Sequence, residues 1–242
     1  MLKRITMTVS SDNQPLYASW GYALYGMIAE SADSTYIEKL HSADGFAVHQ
    51  YISGSGKKAK WTVNLLGAEA EEKLSEIFMR DSFTIEHYQT KLTVEQRQIE
   101  EISEHDFCLQ YLAEHAPERQ MKLQFLTPCS FKSQKLYQIF PKEEWLINSL
   151  WRHWQSYARE IILDDEEVRA QLAEYIAISG YNLRSVDYRL KGQRIPSFIG
   201  TINLKINGPE PLVRLVNMLF NFGTYSGVGI KNALGMGGYI LL

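Results

Sequence analysis

Gly227-Val228-Gly229-Ile230-Lys231-Asn232-Ala233-Leu234-Gly235-Met236-Gly237-Gly238 runs straight into Tyr239-Ile240-Leu241-Leu242. A dinucleotide fingerprint follows a strand and opens a helix. Here the glycines follow an amphipathic helical pattern (Leu212, Leu215, Val216, Leu219, Phe220) and precede a terminal apolar strand. The order is inverted, which excludes a doubly wound nucleotide-binding sheet, and no Gly-Lys-Ser or Gly-Lys-Thr supplies a nucleoside-triphosphate loop. Stripping side chains from the backbone around a lysine lets amides approach a bulky anion. The stretch reads as a phosphate-binding loop, although a bulge or tight turn at a sheet edge would use the same residues.

Working outward, Val186, Tyr188 and Leu190 alternate with Asp187, Arg189 and Lys191, Gly192-Gln193 turns the chain, and Ile202, Leu204 and Ile206 alternate again. Helical spacing appears at Ile147, Leu150, Trp151, Trp154 and Tyr157, and at Val168, Leu172, Tyr175 and Ile176; Met121, Leu123 and Phe125 alternate as a strand before them. The first half has the same order. Ile5, Met7 and Val9 mark a strand; Asp12-Asn13-Gln14-Pro15 predicts the start of a helix carrying Leu16, Trp20, Leu24, Met27 and Ile28. A short helix from Ser34 carries Ile37, Leu40 and His41. Strands are expected over Phe46 to Ser53 and Lys60 to Leu66, then a helix with Leu74, Ile77 and Phe78, then a β-prone segment from Phe83 to Val94. The reading is an α+β protein of two tandem ferredoxin-like (RRM-like) βαββαβ domains, 1–118 and 119–242, linked near Ala116-Pro117-Glu118.

At 242 residues and 45% hydrophobic, the chain can fill packed cores. The start Met1-Leu2-Lys3-Arg4 lacks an apolar signal region and the apolar stretch Trp20 to Ala29 is too short to span a bilayer, which predicts a cytoplasmic protein with no membrane partner. Cys108 and Cys129 fit neither a zinc spacing nor a redox pair, so reduced thiols, no metal site and no cofactor are expected. The net charge of −3 excludes a uniformly basic nucleic-acid binder, but charge is segregated: residues 66–118 carry 13 acids against 4 Lys or Arg, and residues 181–242 carry 7 Lys or Arg against 2 acids. A polyanion would be drawn to the C-terminal part if that part forms one surface.

The Gly-x-Gly-x-Lys-Asn-x-Leu-Gly-x-Gly form, with Phe125-Leu126-Thr127-Pro128-Cys129-Ser130-Phe131-Lys132 and the following Tyr137 and Phe140-Pro141, resembles the CRISPR-associated endoribonucleases of the RAMP superfamily, which cut precursor CRISPR RNA within its repeats. The resemblance implies metal-independent attack by a ribose 2′-hydroxyl, leaving a 2′,3′-cyclic phosphate. It also implies the precursor CRISPR RNA repeat as partner, handover of the product to a CRISPR effector complex, and a homodimer as one possible assembly. Leu40-His41 stands where many members keep a catalytic histidine, so His41 becomes the general acid or base, a role an imidazole suits near neutral pH. A histidine at a helix end is equally a packing or capping residue. Tyr25 is the nearest tyrosine to the position some relatives use, although Gly26 falls closer on an ungapped count. His49 is the reserve candidate, placed by strand alternation on the face opposite the apolar residues. His87, His105, His115 and His153 are taken as structural.

For RNA, the loop residues Gly227, Gly229, Lys231, Asn232, Gly235, Gly237 and Gly238 would hold phosphates, and Arg184, Arg189, Lys191 and Arg194 would grip a stem or its flank. Lys57, Lys58 and Lys60 lie too far beyond His41 to match the lysine of some relatives but could reach the site from a hairpin. A non-catalytic RNA-binding subunit of an effector complex, and more distantly a small-phosphate-binding ferredoxin-like protein, are the rival readings.

Overall fold

The structure, a computed structural model, describes residues 1–42 and 47–242; for His41 and Ser42 it describes the helical backbone alone. Strands β1 (Leu2–Ser11), β2 (Val48–Ser53), β3 (Lys58–Leu66), β4 (Ser82–Ile85) and β5 (Thr90–Ile102) form one antiparallel sheet in the order β2-β3-β1-β5-β4. Helices α1 (Gly21–Ser31) and α2 (Ser34–Ser42) make the first crossover and α3 (Ala68–Leu74) the second. Ile5, Met7, Val9, Trp61, Val63 and Leu65 pack beneath Leu24, Ile28, Leu74 and Phe78 as the core of this half.

Helix α4 (Glu104–Leu109) leads into the second half. There β6 (Gln120–Cys129), the small hairpin β7 (Phe131–Ser133) and β8 (Leu136–Gln138), helices α5 (Glu143–Tyr157) and α6 (Glu166–Tyr175), β9 (Ile176–Leu190), β10 (Gln193–Ile206), α7 (Glu210–Ser226) and β11 (Tyr239–Leu241) follow. Their sheet runs β11-β6-β10-β9, the order a βαββαβ unit requires when both crossovers lie on one face. Phe107 and Cys108 of α4 join the core formed by Leu123, Phe125, Trp151, Trp154, Phe220 and Phe222, as do Leu2 and Leu66 from the first sheet. Both cysteines are free and buried, and burial raises both thiols above their usual range. No helix among the described residues is long and apolar enough to cross a membrane.

Three elements depart from expectation. The helix expected after Pro15 opens as a 3-10 turn over Ala18–Trp20 and becomes α-helical only at Gly21, because Leu16 exchanges backbone hydrogen bonds with Gly56 (2.7 and 3.2 Å), which holds it extended against the β2–β3 hairpin. Strand β5 continues to Ile102 through Glu95, Gln96, Gln98, Glu100 and Glu101, held by pairing to β1 rather than by an apolar alternation. The β7–β8 hairpin turns through Gln134 and Lys135, whose φ values of 49° and 68° are left-handed. Such a turn normally carries Asn-Gly, so its sequence disguises it.

Candidate nucleic-acid interface

Strand β2 is the edge of the first sheet, and the glycine-rich loop between α7 and β11 clasps that edge. Three consecutive residues of β2 meet the loop. His49 lies against Gly227, Gln50 donates from Nε2 to Ala233 O (2.9 Å), and the Tyr51 ring lies against Gly238, where a Cβ would stand 2.7 Å from it. Because alternate side chains of a strand point to opposite faces, the loop passes around the edge rather than along one side of it. Gln50 also donates to Gly21 O at the start of α1 (2.6 Å) and accepts from Trp61 Nε1 (2.9 Å). A buried amide with all these bonds made fixes loop, helix and sheet together.

On the face of the first sheet turned toward the second half, His49, Asn64, Arg4 and Glu100 are register partners across β2, β3, β1 and β5. This polar row receives the end of α7. Arg4 donates from Nη2 to Thr224 O (2.7 Å) and Thr224 Oγ1 (3.0 Å), donates from Nε to Asn64 Oδ1 (2.9 Å), and places its guanidinium 4.1 Å from the centre of the Tyr225 ring. Arginine suits this position because its planar fork satisfies several acceptors while stacking on an aromatic face.

Most of the loop's amides, those of its glycines included, are engaged within the protein. The N–H of Gly227 bonds Gly223 O, Val228 bonds Gly237 O, Gly229 bonds Ser149 Oγ, Ile230 bonds Ser130 O, Gly235 bonds Asn232 O, Met236 bonds Lys231 O, Gly237 bonds Pro128 O and Gly238 bonds Thr127 Oγ1. Those donors are spent on holding the clasp. The Asn232 side chain is buried and donates to Val228 O (3.1 Å) and Met236 O (3.3 Å), so it ties the loop to itself. The glycines are needed for close chain approach. Lys231 differs: it is exposed at the outer turn, with φ of 59°.

His49 is fully buried, and strand alternation did put it opposite the apolar residues; the correction is that this face is covered, not open. Its Nδ1 lies 2.8 Å from Tyr225 O, a geometry in which Nδ1–H donates, and burial holds its pKa down to about 4. A ring so enclosed cannot reach a phosphate on the surface. His153 of α5 is buried on the other side of the loop, with Nδ1 3.2 Å from Gly227 O. Tyr25 is half-buried on α1, and burial raises its phenol above the usual value. The backbone of His41 lies in the last turn of α2, while its side chain lies outside the described residues.

Arg184, Arg189, Lys191 and Arg194 are all exposed. Register separates them: Arg189 and Arg194 are direct cross-strand partners, whereas Arg184, pairing Ile199, points to the opposite face of β9. Lys191 sits in the turn, with Nζ 5.0 Å from the Tyr22 ring of α1, and Tyr188 donates its hydroxyl to Leu234 O, so this long hairpin braces the N-terminal half beside the clasp. Lys57, Lys58 and Lys60 are exposed on or beside the β2–β3 turn, and Lys58 pairs with Glu95. Arg4, Asn64 and Gln50 were not singled out from the sequence. A polar residue in the middle of a strand was their one signal, and it gives no partner.

Residues 123–239 match the family described as CRISPR-associated endoribonuclease Cas6. The Streptococcus thermophilus protein named CRISPR-associated endoribonuclease Cas6 is 29% identical over 237 residues, covering 98% of this chain and 97% of that one. The Mycobacterium tuberculosis protein of the same name is 26% identical over 250 residues, covering 98% of this chain and 77% of that one. Among solved structures, a Cas6 product complex from Thermus thermophilus shares the fold with a TM-score of 0.81 at 18% identity, covering 100% of this chain and 99% of that one.

Proposed function

Because the chain belongs to the Cas6 family of CRISPR-associated endoribonucleases, we propose that it cleaves precursor CRISPR RNA within its repeats. The observation that carries this reading is likeness along the whole chain to relatives bearing that name, 98% of it in each case, rather than at the glycine loop alone.

The reaction in this reading is a transesterification. The ribose 2′-oxygen attacks the adjacent phosphorus, the bond from phosphorus to the 5′-oxygen breaks, and the products carry a 2′,3′-cyclic phosphate and a 5′-hydroxyl. One proton leaves the nucleophile and one reaches the leaving oxygen. His41 takes one of these transfers, and Tyr25 on the neighbouring helix is the candidate for the other. Negative charge gathers on the non-bridging oxygens, where a positioned lysine stabilises it. Lys231 supplies a point charge to the RNA backbone from a turn that Gln50 ties to the start of α1. The work is done in the cytoplasm, and the product passes to a CRISPR effector complex.

The test is cleavage of a repeat RNA from the source genome in EDTA by the wild type and by His41→Ala, with binding measured in parallel. Metal-free cleavage to a 2′,3′-cyclic phosphate, lost in a variant that still binds, is the expected result. Binding without cleavage by the wild type would overturn the assignment.

A further inference from the structure

We propose that the β7–β8 hairpin and the face of β9 that carries Tyr181 and Arg189 form a stacking strip for a single-stranded segment of the RNA, distinct from the glycine clasp; this rests on the endoribonuclease reading above. The hairpin and the residues after it expose large apolar side chains that no core uses: Leu136 is 66% exposed, Phe140 47% and Tyr181, on β9, 62%. Phe140 meets Tyr181 edge to face, with ring centroids 5.2 Å apart and planes at 84°, which leaves ring surface open to solvent. Tyr137 is exposed on β8, and its cross-strand partner Lys132 holds Nζ 5.9 Å from the ring centre.

Register places the β9 and β10 members of this set on one face. Pairing of β9 with β10 is unbroken from Tyr181 opposite Ile202 to Arg189 opposite Arg194, so Tyr181, Arg189 and Arg194 share a face of that ribbon. The β7–β8 hairpin packs on the same face, because Phe131 stacks on Phe198, which pairs with Ser185 on that side. Eight residue steps of strand lead from Tyr181 to Arg189, a run of about 26 Å at ~3.3 Å per residue. That face carries Tyr181, with Phe140 against it, at one end and Arg189 and Arg194 at the other, and the hairpin presents Lys132 and Tyr137 on its own side away from Phe131.

That interleaving of open rings and cations fits a polyanion with unpaired bases. Bases stack on aromatic side chains without sequence choice, and lysine or arginine tracks the phosphates beside them. A protein partner would favour an interface core depleted in charge. The anion on the same face, Asp187, is engaged by Arg194 at 3.8 Å.

The experiment uses the intact protein and a repeat RNA made uncleavable by a 2′-deoxy at the scissile nucleotide, carrying 2-aminopurine at successive single-stranded positions. In the Phe140→Ala/Tyr181→Ala double variant, binding should weaken by roughly 10- to 100-fold and the fluorescence quenching of one or more positions should disappear, as loss of stacked bases requires. The salt dependence of binding should be unchanged in that variant and should flatten in Arg189→Ala/Arg194→Ala, because only the arginines release counterions. Tyr181→Trp should keep the quenching. If the wild type cleaves repeat RNA while the aromatic variants bind and quench as it does, the strip is wrong and the nuclease reading stands. If the aromatic variants change only the oligomeric mass, the patch belongs to a second copy and the proposal is overturned. A wild type that neither binds nor cleaves repeat RNA removes both.

Discussion

The imidazole of His49 faces Gly227 so closely that a methyl group on that glycine would stand 2.9 Å from Nε2, and 2.6 Å from Nδ2 of Asn232. Gly227 also has φ of 69°, a conformation that carries a cost for any residue with a Cβ. Gly227→Ala is therefore expected to lose about 2–4 kcal/mol of stability, strain and overpacking together. Gly54→Ala, also at a positive φ (88°) but with nothing within 4 Å, should lose only about 1–2 kcal/mol. Denaturant unfolding of the two variants separates clash from strain, and equal losses would mean that the clasp can move away from His49.

Acid should loosen the same joint. Burial keeps the His49 imidazolium unfavourable, opposed by the bond to Tyr225 O and reinforced by the Arg4 charge; Asn64 and Tyr51 complete its surroundings, and His153 beyond the loop is held down to about 3, again mainly by burial. An unfolded histidine titrates at about 6.5. The folded chain therefore binds fewer protons than the unfolded chain between that pH and about 4, and the contribution of His49 is complete above pH 6.5 and lost as pH falls through this window. The size is about 3 kcal/mol on the scale of 1.36 kcal/mol per pH unit. Thermal melts of the wild type and His49→Gln from pH 7.5 to 4 should converge toward the acid end. Parallel curves would show that His49 does not titrate with unfolding.

Periodicity made both βαββαβ units legible because their core strands alternate cleanly, as Ile5, Met7 and Val9 or Met121, Leu123 and Phe125 do. It failed where long-range pairing overrides local preference. The polar end of β5 and the Gln134-Lys135 turn have no signal that a window of sequence can carry, and Leu16 is extended because Gly56, forty residues away, bonds it. The glycine motif is visible as a motif, but its close approach to His49 and Tyr51 can be read only when two chain segments are known at once. Exposure could not be read either, which is why His49 looked available. The polar row from His49 to Glu100 exists only in the register of four strands.

Lys231 is exposed, whereas most of the loop's amides are engaged within the protein, so the loop's affinity for RNA should reside in that one charge. Lys231→Ala should weaken RNA binding and lower the slope of log K against log salt by about 0.7–0.9, the share of one phosphate contact. The melting temperature should move little, since the side chain is exposed. Unchanged affinity across a salt series would take the loop out of the RNA interface.

Gln50 links that charge to the rest of the molecule. Its amide donates to Ala233 O, two residues beyond Lys231, and to Gly21 O at the start of the helix that carries Tyr25. Gln50→Glu keeps the shape and the acceptor for Trp61 Nε1 but removes both donors and sets a carboxylate against two carbonyl oxygens. A loss of about 2–3 kcal/mol in stability is expected from the unsatisfied groups. Its effect on RNA should depend on Lys231. In a double-mutant cycle, Gln50→Glu should weaken binding in the wild-type background and add little to Lys231→Ala, because a displaced turn has no charge left to misplace. Additive losses in affinity, measured at a temperature where all four proteins are folded, would mean that Gln50 supports the fold without positioning the lysine.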